Sequence, residues 1–176
     1  MVFLPALAVK QYNWIIDDPE YSLWMTFLSF TLVSVASYIF NDLADFDRDR
    51  KHPVKKKYKP LATGDIDKQV ASFWLAVSLM GGLLLAHKYI NNQVMLWELA
   101  FFSIGVAYSL FLKKFTYFGL IIVSSAALFR VLAGASTMEI SAKPSWLMIA
   151  ILINLAINFA IKSRQNKQHK LTQNLQ

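Results

Sequence analysis

The feature that most restricts this chain is a set of five long apolar stretches, near residues 22–41, 69–88, 94–112, 117–136 and 145–162, separated by short polar segments. A helix needs about 20 apolar residues to cross the roughly 30 Å hydrocarbon layer of a bilayer, and each stretch has about that length. Inside that layer no water is available, so a crossing segment must satisfy its backbone hydrogen bonds internally, which selects helices over open strands. The pattern predicts an all-α, polytopic transmembrane helix bundle with five membrane-spanning helices, organised as one domain over 1–176. A shorter apolar segment over 2–16, interrupted by Pro5 and Lys10, is expected to precede them as an interfacial helix or a shortened crossing. Composition agrees: 56% of residues are hydrophobic and 16% charged, with a mean hydropathy of +0.39. The Gly81-Gly82 pair lies inside the second stretch, where small residues let helices approach closely in lipid.

The net charge of +7 gains meaning from where the cations stand. If the helices alternate in direction, the segment 42–68, the turn at Lys113-Lys114 and the tail beyond Ile161 share one face, and together they hold 14 of the 18 Lys and Arg residues. The segments at Asp17-Asp18-Pro19-Glu20 and 136–144 face the other way and carry few. The positive-inside rule then predicts an integral protein of the inner (plasma) membrane, with the basic face and a polar tail over 163–176 in the cytoplasm. Nucleic acid is not an expected partner, because the cations sit between apolar stretches and no recognition module accompanies them. With no cysteine in the chain, a disulfide framework and a thiolate metal site are excluded. A transporter built on paired broken helices finds no support either.

The first apolar stretch runs directly into Asn41-Asp42-Leu43-Ala44-Asp45-Phe46-Asp47-Arg48-Asp49-Arg50. If the helix continues past the membrane boundary, Asp42, Asp45 and Asp49 fall within about 60° of arc while Asp47 points roughly the other way. Three carboxylates on one face repel one another and call for a cation. Magnesium suits such a set, since it takes one or two carboxylates together with substrate phosphates and retains several waters. Asn41 adds an amide at the edge. The competing reading is a solvated acidic turn paired with Arg48, Arg50 and Lys51, and that reading is kept for Asp47. The basic run from Arg50 to Lys59 serves as an anchor to anionic lipid, and can also neutralise a departing diphosphate.

Outside this motif, Arg130 stands deep in the fourth stretch, where an ionisable group is costly and tends to line a cavity; snorkelling to the surface is its alternative. Tyr108 is read equally as a substrate contact or as an interfacial aromatic. Asn154, Asn158 and Lys162 recur at i, i+4, i+8 and form one polar stripe, with helix-to-helix hydrogen bonding expected of the asparagines. His52, His87 and His169 show no ligand spacing and are read as loop residues.

Asn41-Asp42-x-x-Asp45-x-x-x-Asp49-Arg50, followed by His52-Pro53-x-Lys55 and Lys59-Pro60-Leu61-Ala62-x-Gly64, resembles the signature of the UbiA-type intramembrane prenyltransferases. Tyr108-Ser109-Leu110-Phe111-Leu112-Lys113 and Phe129-Arg130-Val131-Leu132-Ala133-Gly134 are similar to elements of one branch, the polyprenyl-phosphate phosphoribosyltransferases. The resemblance implies a bundle around a cavity open to lipid, a polyprenyl substrate in its apolar part, and Mg2+ joining aspartates to the diphosphate of a phosphorylated small molecule. Asp42, Asp45 and Asp49 would then hold the metal, with Asn41 beside them. Arg50, Lys55 and Lys59 would neutralise phosphate, Lys113 would reach in from the second basic turn, and Tyr108 and Arg130 would meet substrate. The implied reaction displaces diphosphate from an activated carbon. In the phosphoribosyl branch that carbon is C1 of phosphoribosyl diphosphate and the acceptor is polyprenyl phosphate; elsewhere a prenyl diphosphate alkylates an aromatic ring.

The chain also departs from the family pattern. No acidic residue follows Glu139, although the phosphoribosyl branch is expected to carry one after the position of Lys162, and Gly119 stands where an Asp is expected. These departures predict an incomplete bundle lacking the C-terminal helices of the family, prone to oligomerise through uncovered apolar walls. The alternative function they raise is a remnant that binds isoprenoid or phosphate without turnover.

Overall fold

A computed structural model describes the backbone of residues 1–3, 5, 19–53, 55–112 and 116–173, with the side chains at 19, 55, 116–123, 162 and 164–173 outside that description. The apolar segment expected over 2–16 therefore lies largely outside the described residues. Helix α1 spans Pro19–Ala44, α2 Phe46–Lys51, α3 Pro60–Thr63, α4 Lys68–Tyr89, α5 Asn92–Leu110, α6 Thr116–Thr137 and α7 Pro144–Gln173, with a 3-10 turn at Lys55–Lys57. Among the described residues there is no strand.

Local chemistry sets several of these ends. Pro19 opens α1, where its fixed φ and missing N–H cost nothing, and Glu20 stands in the first turn against the helix dipole. The Asn91 side chain caps α5 by accepting from the Val94 N–H at 2.8 Å. Gly64 closes α3 at φ +92°, a left-handed conformation that glycine adopts without penalty. At 26 residues, α1 is about 39 Å long, longer than the roughly 30 Å apolar layer. Its last turn, with Asn41 and Asp42, can therefore stand beyond the lipid tails.

Four of the long helices have the length and apolar composition of membrane spans: 20–44, 68–89, 92–110 and 144–161. The remaining long helix, α6, has 22 residues, matching the expected fourth crossing in position. The helices run alternately, and α1 packs against α4, α5 and α6 while α7 lies on α6. Contact between α1 and α4 is close because Ser78, Gly82 and Ala86 put a seam of small buried residues along α4. A Cβ at Gly82 would come within 2.6 Å of Val33 Cγ2 and 2.7 Å of the Ser29 carbonyl oxygen. The main apolar core gathers Leu23, Phe30, Val33, Ala86, Val94, Phe101 and Ala133, and a smaller one joins Ala127 and Val131 of α6 to Trp146 and Ala150 of α7. Large side chains such as Phe73, Met80, Leu152 and Phe159 remain exposed on the outside, as expected of surfaces facing lipid tails.

Two expectations about helix continuity change. The helix carrying the aspartates does not run straight through: α1 stops at Ala44, Asp45 forms a turn, and α2 begins at Phe46. Backbone bonds from Asp45 N to Asn41 O (3.0 Å) and from Asp49 N to Asp45 O (2.8 Å) nonetheless preserve a helical path across the break. The segment over 163–173, read as a tail, continues α7 as helix, because its Lys, Arg and Gln residues are good helix formers that merely lack an apolar face.

Candidate functional site: an aspartate pair at the rim of a polar cavity

Asp42 in the last turn of α1 and Asp49 in α2 are drawn together by a side chain from the far end of the following loop. Lys59 Nζ lies 2.6 Å from Asp42 Oδ1 and 2.7 Å from Asp49 Oδ2. Lys59 can reach both because its backbone is extended just before Pro60 starts α3, and because α3 packs against α2. Burial alone would lower the pKa of the Lys59 ammonium, but hydrogen bonds to Asp42 and Asp49, together with their charges, outweigh it and hold the group above its ordinary value. Asp45 goes elsewhere: although buried, it accepts from Arg48 at 2.6 Å. Among the described residues no three carboxylates or imidazoles converge on a common point; Asp42 and Asp49 share Lys59, and Asp45 pairs with Arg48. Asp47 is exposed, as its helical angle predicted.

Asn41 links this cluster to the bundle interior. Its Oδ1 accepts from Ser109 Oγ at 3.1 Å, joining the ends of α1 and α5, and it lines a cavity of about 240 Å³. The walls of that cavity come from α1 (Ser34, Ser37, Tyr38), α5 (Phe101, Gly105, Tyr108), α6 (Ala126, Arg130) and α7 (Asn154, Asn158). Arg130 turns inward rather than snorkelling: Nη2 donates to Ser34 Oγ at 3.1 Å, and its guanidinium carbon lies 5.6 and 5.2 Å from the Phe30 and Phe101 ring centres. Cation–π attraction accounts for part of its tolerance of this place. Asn158 donates to Ser124 Oγ of α6 at 3.3 Å, the interhelical role expected of the asparagines, and within α7 to Asn154 Oδ1 at 3.1 Å. A second hollow, about 720 Å³, opens at the opposite end around Asn91, Trp97, Ser136 and Glu139, and shares no lining residue with the first.

Residues 2–170 match the family model described as the UbiA prenyltransferase family. The chain belongs to that family. Relatives include the decaprenyl-phosphate phosphoribosyltransferase of Mycobacterium tuberculosis (strain CDC 1551 / Oshkosh), 30% identical over 71% of this chain and 41% of the relative. The protein of the same name from Mycolicibacterium smegmatis is 29% identical over 71% of this chain and 39% of its own length. Protoheme IX farnesyltransferase 1 of Paramagnetospirillum magneticum is 35% identical over 77% and 46%. The chain thus spans less than half the length of these relatives.

Within the UbiA frame, the expected site residues fall into three groups. Asp42, Asp49 and Lys59 meet, and Asn41, Tyr108 and Arg130 share the cavity. Asp45 and Arg50 stand apart from both: Asp45 pairs with Arg48, and Arg50 is exposed with its guanidinium 5.9 Å from the Phe46 ring centre. Lys113 and the side chain of Lys55 lie outside the described residues. Sequence reading missed Ser34, Ser37 and Tyr38, which look like ordinary members of an apolar helix until α1 is seen facing the cavity. It also missed Glu98, wholly buried in α5, whose Oε1 accepts from Ser29 Oγ at 2.6 Å. The cost of an ionisable group in lipid, which marked Arg130, was signal enough to mark Glu98 too.

Proposed function

We propose that this chain supplies the diphosphate-handling site of a Mg2+-dependent UbiA-type transferase, most like one moving phosphoribosyl from phosphoribosyl diphosphate to a polyprenyl phosphate. The observation that carries the reading is the pairing of Asp42 and Asp49 around one cation, next to a lipid-embedded cavity with a guanidinium at its inner end. Two carboxylates already gripping an ammonium are a donor set suited to a hard divalent ion that completes its shell with substrate phosphates and water. Asp42 and Asp49 would hold that ion. When bound, it would neutralise charge on the departing diphosphate.

The remaining work falls to the protein's own groups. An acceptor phosphate oxygen forms the new bond to C1 of the sugar as the bond to diphosphate breaks, and the electron pair leaves with diphosphate. Lys55 and Lys59 lower the cost of that departing charge, and Lys113 is assigned the same task. Arg130, held by Ser34 beside the Phe30–Phe101 ring pair, offers a fixed cation to an anionic acceptor group, so that much of the barrier is met by positioning. The apolar outer surface leaves the polyprenyl tail in lipid, and the acidic loop faces the cytoplasm on the strength of the charge distribution. Similarity to a farnesyltransferase favours one other reading, prenyl transfer from a prenyl diphosphate to an aromatic acceptor.

Membranes containing the chain, supplied with radiolabelled phosphoribosyl diphosphate, polyprenyl phosphate and Mg2+, are expected to yield labelled lipid. Asp42→Asn and Asp49→Asn should each reduce the rate on the order of 100-fold. Label appearing only when prenyl diphosphate and an aromatic acid are supplied would transfer the assignment to the second reading. Diphosphate binding indifferent to both substitutions would overturn the site.

A further inference from the structure

Lys59 occupies the place between Asp42 and Asp49 that the proposed function gives to a divalent ion. We infer that Lys59 is an exchangeable internal cation: it keeps the aspartate pair closed to a lone divalent ion and yields when the ion arrives with a diphosphate, to which the freed ammonium then attaches. This rests on the reading of Asp42 and Asp49 as the ion's ligands.

Charge and mobility both support the exchange. Two carboxylates and one ammonium sum to a single negative charge, and a divalent ion entering with the ammonium in place would set two cations at contact distance in a partly buried site. A lone ion must therefore expel the ammonium from both its anions into a loop segment whose exposed residues include Arg50, Lys51, Lys56 and Lys57, a net positive surrounding that disfavours the move. A diphosphate removes that obstacle by giving the ammonium a new anion. The exit is open on one side only. The Lys59 and Asp42 side chains keep 28% and 40% of their surface exposed, whereas Asp49 keeps 2%, so Asp49 is the fixed wall and Lys59 the part that moves. A compact charge on a flexible four-carbon stem with three donors can change partners by side-chain rotation, leaving the Pro60-initiated helix α3 in place. Arg48 does not compete for this role, being committed to Asp45 within the same turn.

The test is the affinity of the purified full chain for Mn2+, followed by electron paramagnetic resonance, with and without inorganic pyrophosphate. In the parent, Mn2+ should bind weakly alone and at least about fivefold more tightly with pyrophosphate, within the usual range of coupling between sites. Lys59→Met should raise the affinity for Mn2+ alone and lose most of that coupling. Lys59→Gln, which keeps a hydrogen-bonding side chain to hold the loop, should do the same, while Lys88→Met, removing an exposed charge from the last turn of α4 at the far end of that helix, should change neither. Equal affinity for Mn2+ alone in parent and both Lys59 variants overturns the exchange, as does a parent that binds Mn2+ equally well with and without pyrophosphate. If Asp42→Asn also leaves Mn2+ binding intact, the ligand assignment itself falls; if Asp42→Asn abolishes binding while the Lys59 variants match the parent, only the exchange falls.

Discussion

A carboxylate with no exposed surface inside an apolar helix needs a donor, and Ser29 is the one that Glu98 Oε1 has; Oε2 has no partner among the described residues. Ser29→Ala should therefore destabilise the bundle by about 1–3 kcal/mol, the cost of leaving a buried polar group unmet. Thermal unfolding in detergent checks this, and an unchanged midpoint would show that the hydroxyl is dispensable. How far the site could be read from sequence varied with the reach of the rule applied. Asp47 turning outward followed from a helical angle, a property of neighbours. The seat of Lys59 between Asp42 and Asp49 did not, because it depends on the path of a loop that returns after 17 residues to Asp42, and no local spacing encodes that return.

Among the elements, the seam between α1 and α4 gives the sharpest contrast. Gly81 and Gly82 are adjacent in sequence, yet a Cβ at Gly81 would meet only Leu32 Cδ1 at 3.8 Å, whereas one at Gly82 would strike Val33 and the Ser29 carbonyl. Gly82→Ala is expected to destabilise by about 1–3 kcal/mol through overpacking, and Gly81→Ala to have little effect, when the two unfolding midpoints are compared with the parent. Sequence showed that the pair would favour close packing, but not which member makes the contact, since that depends on the rotation of α4 about its axis. Helix positions were legible because apolar runs mark them. The extent of α7 was not, because hydropathy records where lipid ends rather than where a helix does.

For the whole molecule, alternation of the helices was readable in advance; which helices touch was not, as apolar faces in lipid carry little information about their neighbours. The arrangement predicts a sidedness that can be measured directly, because the chain has no native cysteine. In intact cells, Ser141→Cys should react with a membrane-impermeant maleimide, and Lys56→Cys should react only after permeabilisation. The opposite pattern would reverse the orientation. One consequence concerns leakage across the bilayer. Two hollows enter this protein from opposite faces, and the Phe30–Phe101 ring pair, with centres 5.0 Å apart, stands with the sealed Ser29–Glu98 contact in the thickness that separates them. Such an apolar partition bars hydrated ions, so a recess can be carried deep into a bilayer without opening a leak through it.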